Sequence, residues 1–459
     1  MQKIIFILFL LFPLLVNAQI GEMRVYTVAG SLTATALGDG GPATAASLSA
    51  TEGIWLDGQC NIYLSDMGHS LIRKVDASTG IITTIAGTGG AGYSGDGGLA
   101  TNATMGRPYG LYADPLGNVY FADVDNNRVR RIDAITGIIT NFAGGGTSLG
   151  DGGPATNAQL NTPQNVYKDS IGNLYIGEIG RIRKVSAGTG NITTIAGTGT
   201  VGLSGDNGPA TNAQISNGPS GMLLDASENL IFADRTNCRV RKVNRVTGII
   251  TTVAGTTPGY SGDGGLATNA QFKGIISFSI DCYGNLIVGD NNNNVIRKVD
   301  AVTGIVSTIA GDTSISATYT EGALATSTGM HPEFLYLDLS GNIYFTQWVE
   351  GSVRKIINYN PGKVNSTNMC GFTSVPELRN NNSDNVEIYP NPIYDLLNID
   401  NIKTNSTYLL LSIVGAVIQQ GTLKEGNNTI SLQTIANGMY MLELTDDEGK
   451  KSVTKIIKQ

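Results

Sequence analysis

The chain has few residues with which to do chemistry, and most of them fall at one recurring position. Glu52, Tyr109, Gln164, Ser220, Ile276 and Glu333 each stand five residues ahead of an aspartate: Asp57, Asp114, Asp169, Asp225, Asp281 and Asp338. Two of these six residues are carboxylates. Oxygen ligands that converge can hold a hard cation such as calcium, which makes Glu52 and Glu333 the candidate metal ligands. The chain has two histidines. His331 lies beside Glu333 in sequence and joins the candidate ligand-binding set. His69 falls in a turn where sister copies carry Asp125, Thr236 or Asn292, and it reads as a solvated turn residue. No G-x-S-x-G elbow or phosphate-cradling glycine loop occurs, so no residue is assigned as catalytic.

The elements that must position these residues are written six times. The turn aspartates recur every 55 to 57 residues, each followed four positions later by Asn61, Asn118, Asn173, Asn229, Asn285 or Asn342. A second series, Arg73, Arg130, Arg183, Arg241, Arg297 and Arg354, keeps the same rhythm. In residues 110–144, short apolar and β-branched runs alternate with Asp-Pro, Asn-Asn and Thr-Gly turns, which predicts four short strands in one antiparallel meander. Such a unit at a fixed period predicts an all-β fold, a six-bladed β-propeller with one repeat per blade. Five copies end in a Thr-Gly-x-x-Thr-Thr-like strand, and the sixth stops at Arg354-Lys355-Ile356-Ile357. Residues 23–30 (MRVYTVAG) supply the missing strand. The N-terminal strand is therefore expected to complete the last blade and close the ring, leaving no open sheet edge. In that ring, innermost strands line a channel, and Glu52 and Glu333 meet at its mouth on adjoining blades.

Glycine-rich inserts (38–44, 95–102, 150–157, 205–212, 262–269) separate the blades, and a degraded copy covers 321–326. They read either as a ring of oxygen ligands or a polar rim, or as self-capping loops that seal neighbouring blades. Asp66, Asp123, Glu178, Asp234 and Asp290 pair in pattern with the arginine series, with Gln347 breaking the set, and read as structural ion-pair residues. Trp55 and Trp348 read as packing residues rather than a sugar platform.

With 459 residues and 60 glycines, the chain can bury a large, turn-dense core. A net charge of −7 argues against a nucleic-acid partner, which needs a basic face. Residues 1–18 combine Lys3, an apolar run and Val16-Asn17-Ala18, the pattern of a secretory signal peptide; no other stretch suits a transmembrane segment. Of Cys60, Cys238, Cys282 and Cys370, no pair within the ring is placed to bridge, and Cys370 could reach one of the others. Residues 361–385 form a polar linker. Residues 386–459 alternate strands and turns as a small β-sandwich.

Three resemblances follow from these residues. The pattern GLYAD-x3-NVYFAD-x3-NRVRRID and its sister copies, within 19–360, resemble NHL-repeat propellers, which implies the fold but no single function. Thr51-Glu52-Gly53-Ile54-Trp55 resembles a segment of the gluconolactonase-like propellers, which implies a central divalent metal, although the rest of that metal set is not placed here. The histidine count falls short of what zinc-dependent propeller lyases of the amidating type use. Finally, Tyr389-Pro390-Asn391-Pro392, the Gly438-Met439-Tyr440 strand and the Lys455–Lys458 end are similar to the type A C-terminal sorting domain of the Bacteroidetes type IX secretion pathway. That resemblance implies passage through the periplasm to the outer surface or the medium, with the type IX machinery as a partner. The expected function is a secreted or surface binding scaffold for an unknown protein, glycan or small molecule. The alternatives are a metal-dependent lactonase or lyase, and a purely structural matrix protein.

Overall fold

The computed structural model describes residues 22–315, 320–338, 340–357, 359, 387–389, 396–412, 417–435, 438–447 and 451–458. The expected signal peptide and linker, and Pro390, Asn391 and Pro392, lie outside the described residues. The chain divides into two compact units, Met1–Phe372 and Thr373–Gln459.

The first unit contains six four-stranded antiparallel sheets. Blade two is representative, with strands Pro108–Ala113, Val119–Asp123, Arg128–Ile132 and Ile139–Gly144 running from the inside outward. Its turns explain the spacing. Asp114 Oδ1 accepts hydrogen bonds from the Leu116 and Asn118 amides at 3.1 and 2.9 Å. Asn118 Oδ1 in turn accepts from the Ala134 amide at 3.0 Å, which ties the first turn of the blade to its third. At that third turn Gly137 has a φ of +68°, a conformation glycine adopts without a steric penalty. Buried apolar residues between the sheets, such as Val119, Phe121 and Ile139, form the cores that hold adjacent blades together.

The ring closes as expected. Arg24–Ala29 is the outer strand of the last blade and pairs antiparallel with Ser352–Ile357, with Val25 opposite Ile356 and Thr27 opposite Arg354. The other edge of this strand is held by the degraded insert: the Val25 amide donates to Ala323 O at 3.1 Å, and the Ala325 amide donates to Met23 O at 2.8 Å. Thr27 donates to Glu321 through both its amide and its hydroxyl.

The inserts are sealing loops. Each lies along the outer strand of the blade it precedes, where the Ala100 amide donates to Gly137 O at 2.8 Å and the Ile139 amide to Gly98 O at 3.0 Å. The same loop takes the Gly87 amide of the previous blade at 2.9 Å on Ala100 O. The insert aspartates are not a ring of metal ligands, because each is engaged by an arginine. Arg73, Arg130, Arg183, Arg241 and Arg297 are fully buried. Arg130 donates to Asp96 on the insert at 2.8 Å and to the carbonyls of Ser94 and Thr104, which flank it, at 2.7 and 2.8 Å. On its other side lies Asp123 at 3.6 Å. A buried guanidinium has five donors to satisfy, and the loop supplies most of the acceptors. In blade six the arrangement changes with the sequence: Arg354 donates to Gln347 at 2.8 Å, hydrogen-bonds Thr27, and pairs with Glu350 at 3.4 Å.

Cys60 is disulfide-bonded, whereas Cys238 and Cys282 are free thiols. Cys370 lies outside the described residues. His69 is more engaged than a solvated turn residue, with Nδ1 3.0 Å from Asp66.

The second unit holds a three-stranded sheet (Glu387–Tyr389, Leu396–Ile402, Gly426–Ser431) and a four-stranded sheet (Ser406–Ser412, Val417–Leu423, Gly438–Thr445, Lys451–Lys458). Leu397, Ile399, Leu410, Tyr440 and Leu442 are among the buried residues of its core. Gly438 stands opposite Lys458, and Met441 opposite Lys455. Among the described residues, no helix is long and apolar enough to cross a membrane.

Candidate functional site

A belt of hydrogen bonds around the ring fixes the residues ahead of the turn aspartates. Thr346 on blade six donates to Glu52 O at 2.8 Å. Ser65 on blade one donates to Tyr109 O, and the Gly110 amide of blade two to Gln164 O at 3.0 Å. Asn165 on blade three donates to Ser220 O, and Ser220 on blade four to Ile276 O at 2.5 Å. Ser277 on blade five accepts from the Leu335 amide at 3.3 Å. Neighbouring inner strands approach closely enough here that a Cβ on Gly110 would sit 2.7 Å from Gln164 O. The backbone carrying the candidate residues is therefore set before any ligand arrives.

On this belt four of the candidates converge. Glu52 and Glu333 are each 5% exposed. Burial, and then the Glu333 charge, push Glu52 well above the usual carboxylate range, while Arg235 and Tyr109 pull it back only in part. Burial and the adjacent Glu52 likewise push the Tyr109 phenol upward. The Tyr109 ring meets Phe334 edge-on at 5.6 Å. His331 Nδ1 lies 3.3 Å from Glu333 and 3.1 Å from Asn291 Nδ2. Unprotonated, that nitrogen accepts from Asn291; protonated, it faces the carboxylate.

Two members of this cluster were not foreseen. Arg235, on the second turn of blade four, donates to the Tyr109 hydroxyl on blade two at 3.1 Å, passing the mouth of blade three. Asn291 occupies the matching place on blade five. Both follow the second-strand acid directly, where the repeats read Met67, Val124, Ile179, Arg235, Asn291 and Trp348. This position varies as much as the one ahead of the turn aspartate, and that variation was the signal available. The remaining candidates stand apart: Ser220 is committed to the belt, and Gln164 Oε1 is buried without a partner.

Glu52 Oε2 is also buried with no hydrogen-bond partner. Among the described residues, no cluster of three or more His, Cys, Asp or Glu is placed to hold a metal. Glu52 and Glu333 have the Arg235 guanidinium as their cationic neighbour, so the donor set does not suit a divalent ion. The opposite end of the inner strands is filled by rings: Trp55 packs on Tyr112 at 4.5 Å, Tyr336 at 5.1 Å and Tyr167 at 6.0 Å. Trp55 is thus the packing residue expected of it. Trp348 is not, because it is 45% exposed.

A raised carboxylate pKa has a definite sign in stability. Between the unfolded and folded values the folded chain holds a proton that the unfolded chain has released, so stability falls as pH rises. Glu52→Gln imitates the protonated form. We expect it to melt about 1–2 °C above the parent at pH 8, the shift of roughly 1 kcal/mol on a domain of more than about 300 residues, with the gap closing by pH 4. Scanning calorimetry at the two pH values checks this; a gap independent of pH would refute it.

Residues 387–459 match the secretion system C-terminal sorting domain family. Among known relatives, Protein SUPPRESSOR OF QUENCHING 1, chloroplastic, of Arabidopsis thaliana is 27% identical over 267 residues, 56% of this chain and 25% of that protein. Teneurin-1 of Gallus gallus is 32% identical over 235 residues, 45% of this chain and 8% of that protein. The chain thus spans a quarter or less of these relatives' length. Two solved structures from Bacteroides thetaiotaomicron share the fold. One is a structural-genomics protein of unknown function, with a TM-score of 0.55 and 19% identity, covering 73% of this chain and 75% of that one. The other is an auxiliary nutrient binding protein, with a TM-score of 0.53 and 16% identity, covering 73% and 76%.

Proposed function

We propose that this propeller, exported to the cell surface or the medium through its type IX C-terminal sorting domain, is a binding protein that takes a small polar solute at the channel mouth. The observation carrying this reading is the unpartnered, buried Glu52 carboxylate oxygen inside a cluster that also gathers Tyr109, Arg235, Asn291, His331 and Glu333. An unsatisfied buried acceptor costs stability and calls for an explanation, and a ligand donor provides one. The belt beneath the cluster supports the same reading, since a preset site loses less entropy on binding. A propeller of the same fold in Bacteroides thetaiotaomicron is a nutrient-binding protein, the role assigned here.

Isothermal titration of the mature chain against neutral sugars, amino acids and small organic acids tests the proposal. One class binds, and Arg235→Ala weakens it about a hundredfold, as removal of a buried charged partner does. Leu116→Ala, on an exposed turn at the far end, changes nothing. Binding that ignores Arg235→Ala and Glu52→Gln would overturn the assignment. A stoichiometric divalent metal in the purified chain, with binding lost on chelation, would replace it with the metal-dependent reading.

A further inference from the structure

We infer that the solute is a neutral saccharide, one of whose rings stacks on Trp348 while its hydroxyls reach Glu52, Tyr109, Arg235 and Glu333. This rests on the binding role proposed above and narrows it to one class of ligand. The first support is the place of Trp348 in the repeat. It follows Gln347 as Arg235 follows Asp234 and Asn291 follows Asp290, and those two side chains reach into the mouth cluster. None of the other five blades carries an aromatic residue at this position. A tryptophan left 45% exposed, at a position where two of its counterparts line the site, is a flat apolar face beside polar groups.

The second support is the balance of the polar groups. A sugar presents C–H faces that pack on an aromatic ring and hydroxyls that both donate and accept. The mouth offers donors on Arg235, a phenol on Tyr109 that does both, and acceptors on Glu52 and Glu333, of which Glu52 Oε2 is unfilled. Charge argues the same way. Burial pushes Glu52 toward its neutral form, which leaves the Arg235 guanidinium against the Glu333 carboxylate, while Arg107 pairs with Asp125 at 2.5 Å and Glu350 with Arg354 at 3.4 Å. The cluster then holds no excess of either sign to draw an ammonium or a carboxylate ligand.

The chain's two tryptophans make the test direct, since Trp55 is packed among tyrosine rings and a ligand at the mouth perturbs Trp348 alone. The mature chain is titrated with neutral mono- and oligosaccharides, with uronic acids and amino sugars, and with amino acids, following tryptophan emission and heat. A neutral saccharide binds and shifts the emission. Trp348→Ala weakens it about tenfold, the size of one well-packed aromatic contact, and Trp348→Phe retains most of the affinity; the exposed side chain makes both variants safe for folding. Capture of an amino acid or organic acid, lost in Arg235→Ala but indifferent to Trp348→Ala, would overturn the saccharide and leave the binding role standing. Neutral sugar bound equally well by Trp348→Ala would overturn the platform. No solute bound at all would sink both.

Discussion

Removal of residues 22–30 is expected to cost at least about 4 kcal/mol of stability. Val25 is fully buried against Ile356, Phe345 and Ile287, worth roughly 2 kcal/mol. Backbone hydrogen bonds on both edges of Arg24–Ala29 add about 1 kcal/mol each. A loss of that size is a large part of what folded domains possess. It would also leave Ser352–Ile357 as an open edge with unpaired backbone groups, a template for pairing with another copy. The truncated chain should therefore unfold at lower urea and elute as oligomers, and a peptide of residues 22–31 added in trans should restore the monomer. A truncated monomer with an unchanged urea midpoint would show that the ring does not depend on this strand.

Arg130→Met should cost about 3–5 kcal/mol, as loss of one partner from a buried ion pair does. Asp96 is partly exposed and can regain water, but Asp123 is fully buried. The cost should depend on pH with a known sign. Burial outweighs Arg130 and pushes Asp123 up to about 6. Without Arg130 the carboxyl titrates higher still: at pH 5 it is neutral and needs no counter-charge, whereas at pH 8 it either ionises as a lone buried charge or holds its proton at a cost. Urea unfolding should thus show a larger penalty at pH 8 than at pH 5. Adding Asp123→Asn, which keeps an acceptor for the Gly106 amide, should recover about half of the loss at pH 8. An equal penalty at both pH values would refute this account of the clamp.

The architecture was legible because its causes are local and repeated. Asp114 and Asn118 recur because the turn needs both side chains, and the missing outer strand of the sixth repeat was visible as an absence at one end and a surplus at the other. The site was legible only in part. Glu52, Tyr109 and Glu333 stood out because the repeats disagree there, and His331 because it lies beside Glu333. Arg235, Asn291 and Trp348 disagree just as openly, yet they sit on a turn whose reach depends on side-chain length: Arg235 contacts a residue 126 positions away. Repetition reveals which backbone positions are equivalent. It does not say how far a side chain extends over a neighbouring blade, and so the exposure of Trp348 could not be anticipated. The inserts posed the opposite difficulty: their aspartates look like ligands in sequence, and only the buried arginines beside them reveal what they hold.

The register of the last sheet has a practical corollary. Ile356 faces Val25 as Ile132 faces Ile139 in blade two, so the break in the sixth blade falls where residues 133–138 bridge the second. The first and last strands of the ring are thus separated by a gap that a copy of that short hairpin connection would span. A circularly permuted chain, spliced there and reopened at an exposed turn of any other blade, would keep every sheet intact, because the toroid has a covalent seam but no structural beginning.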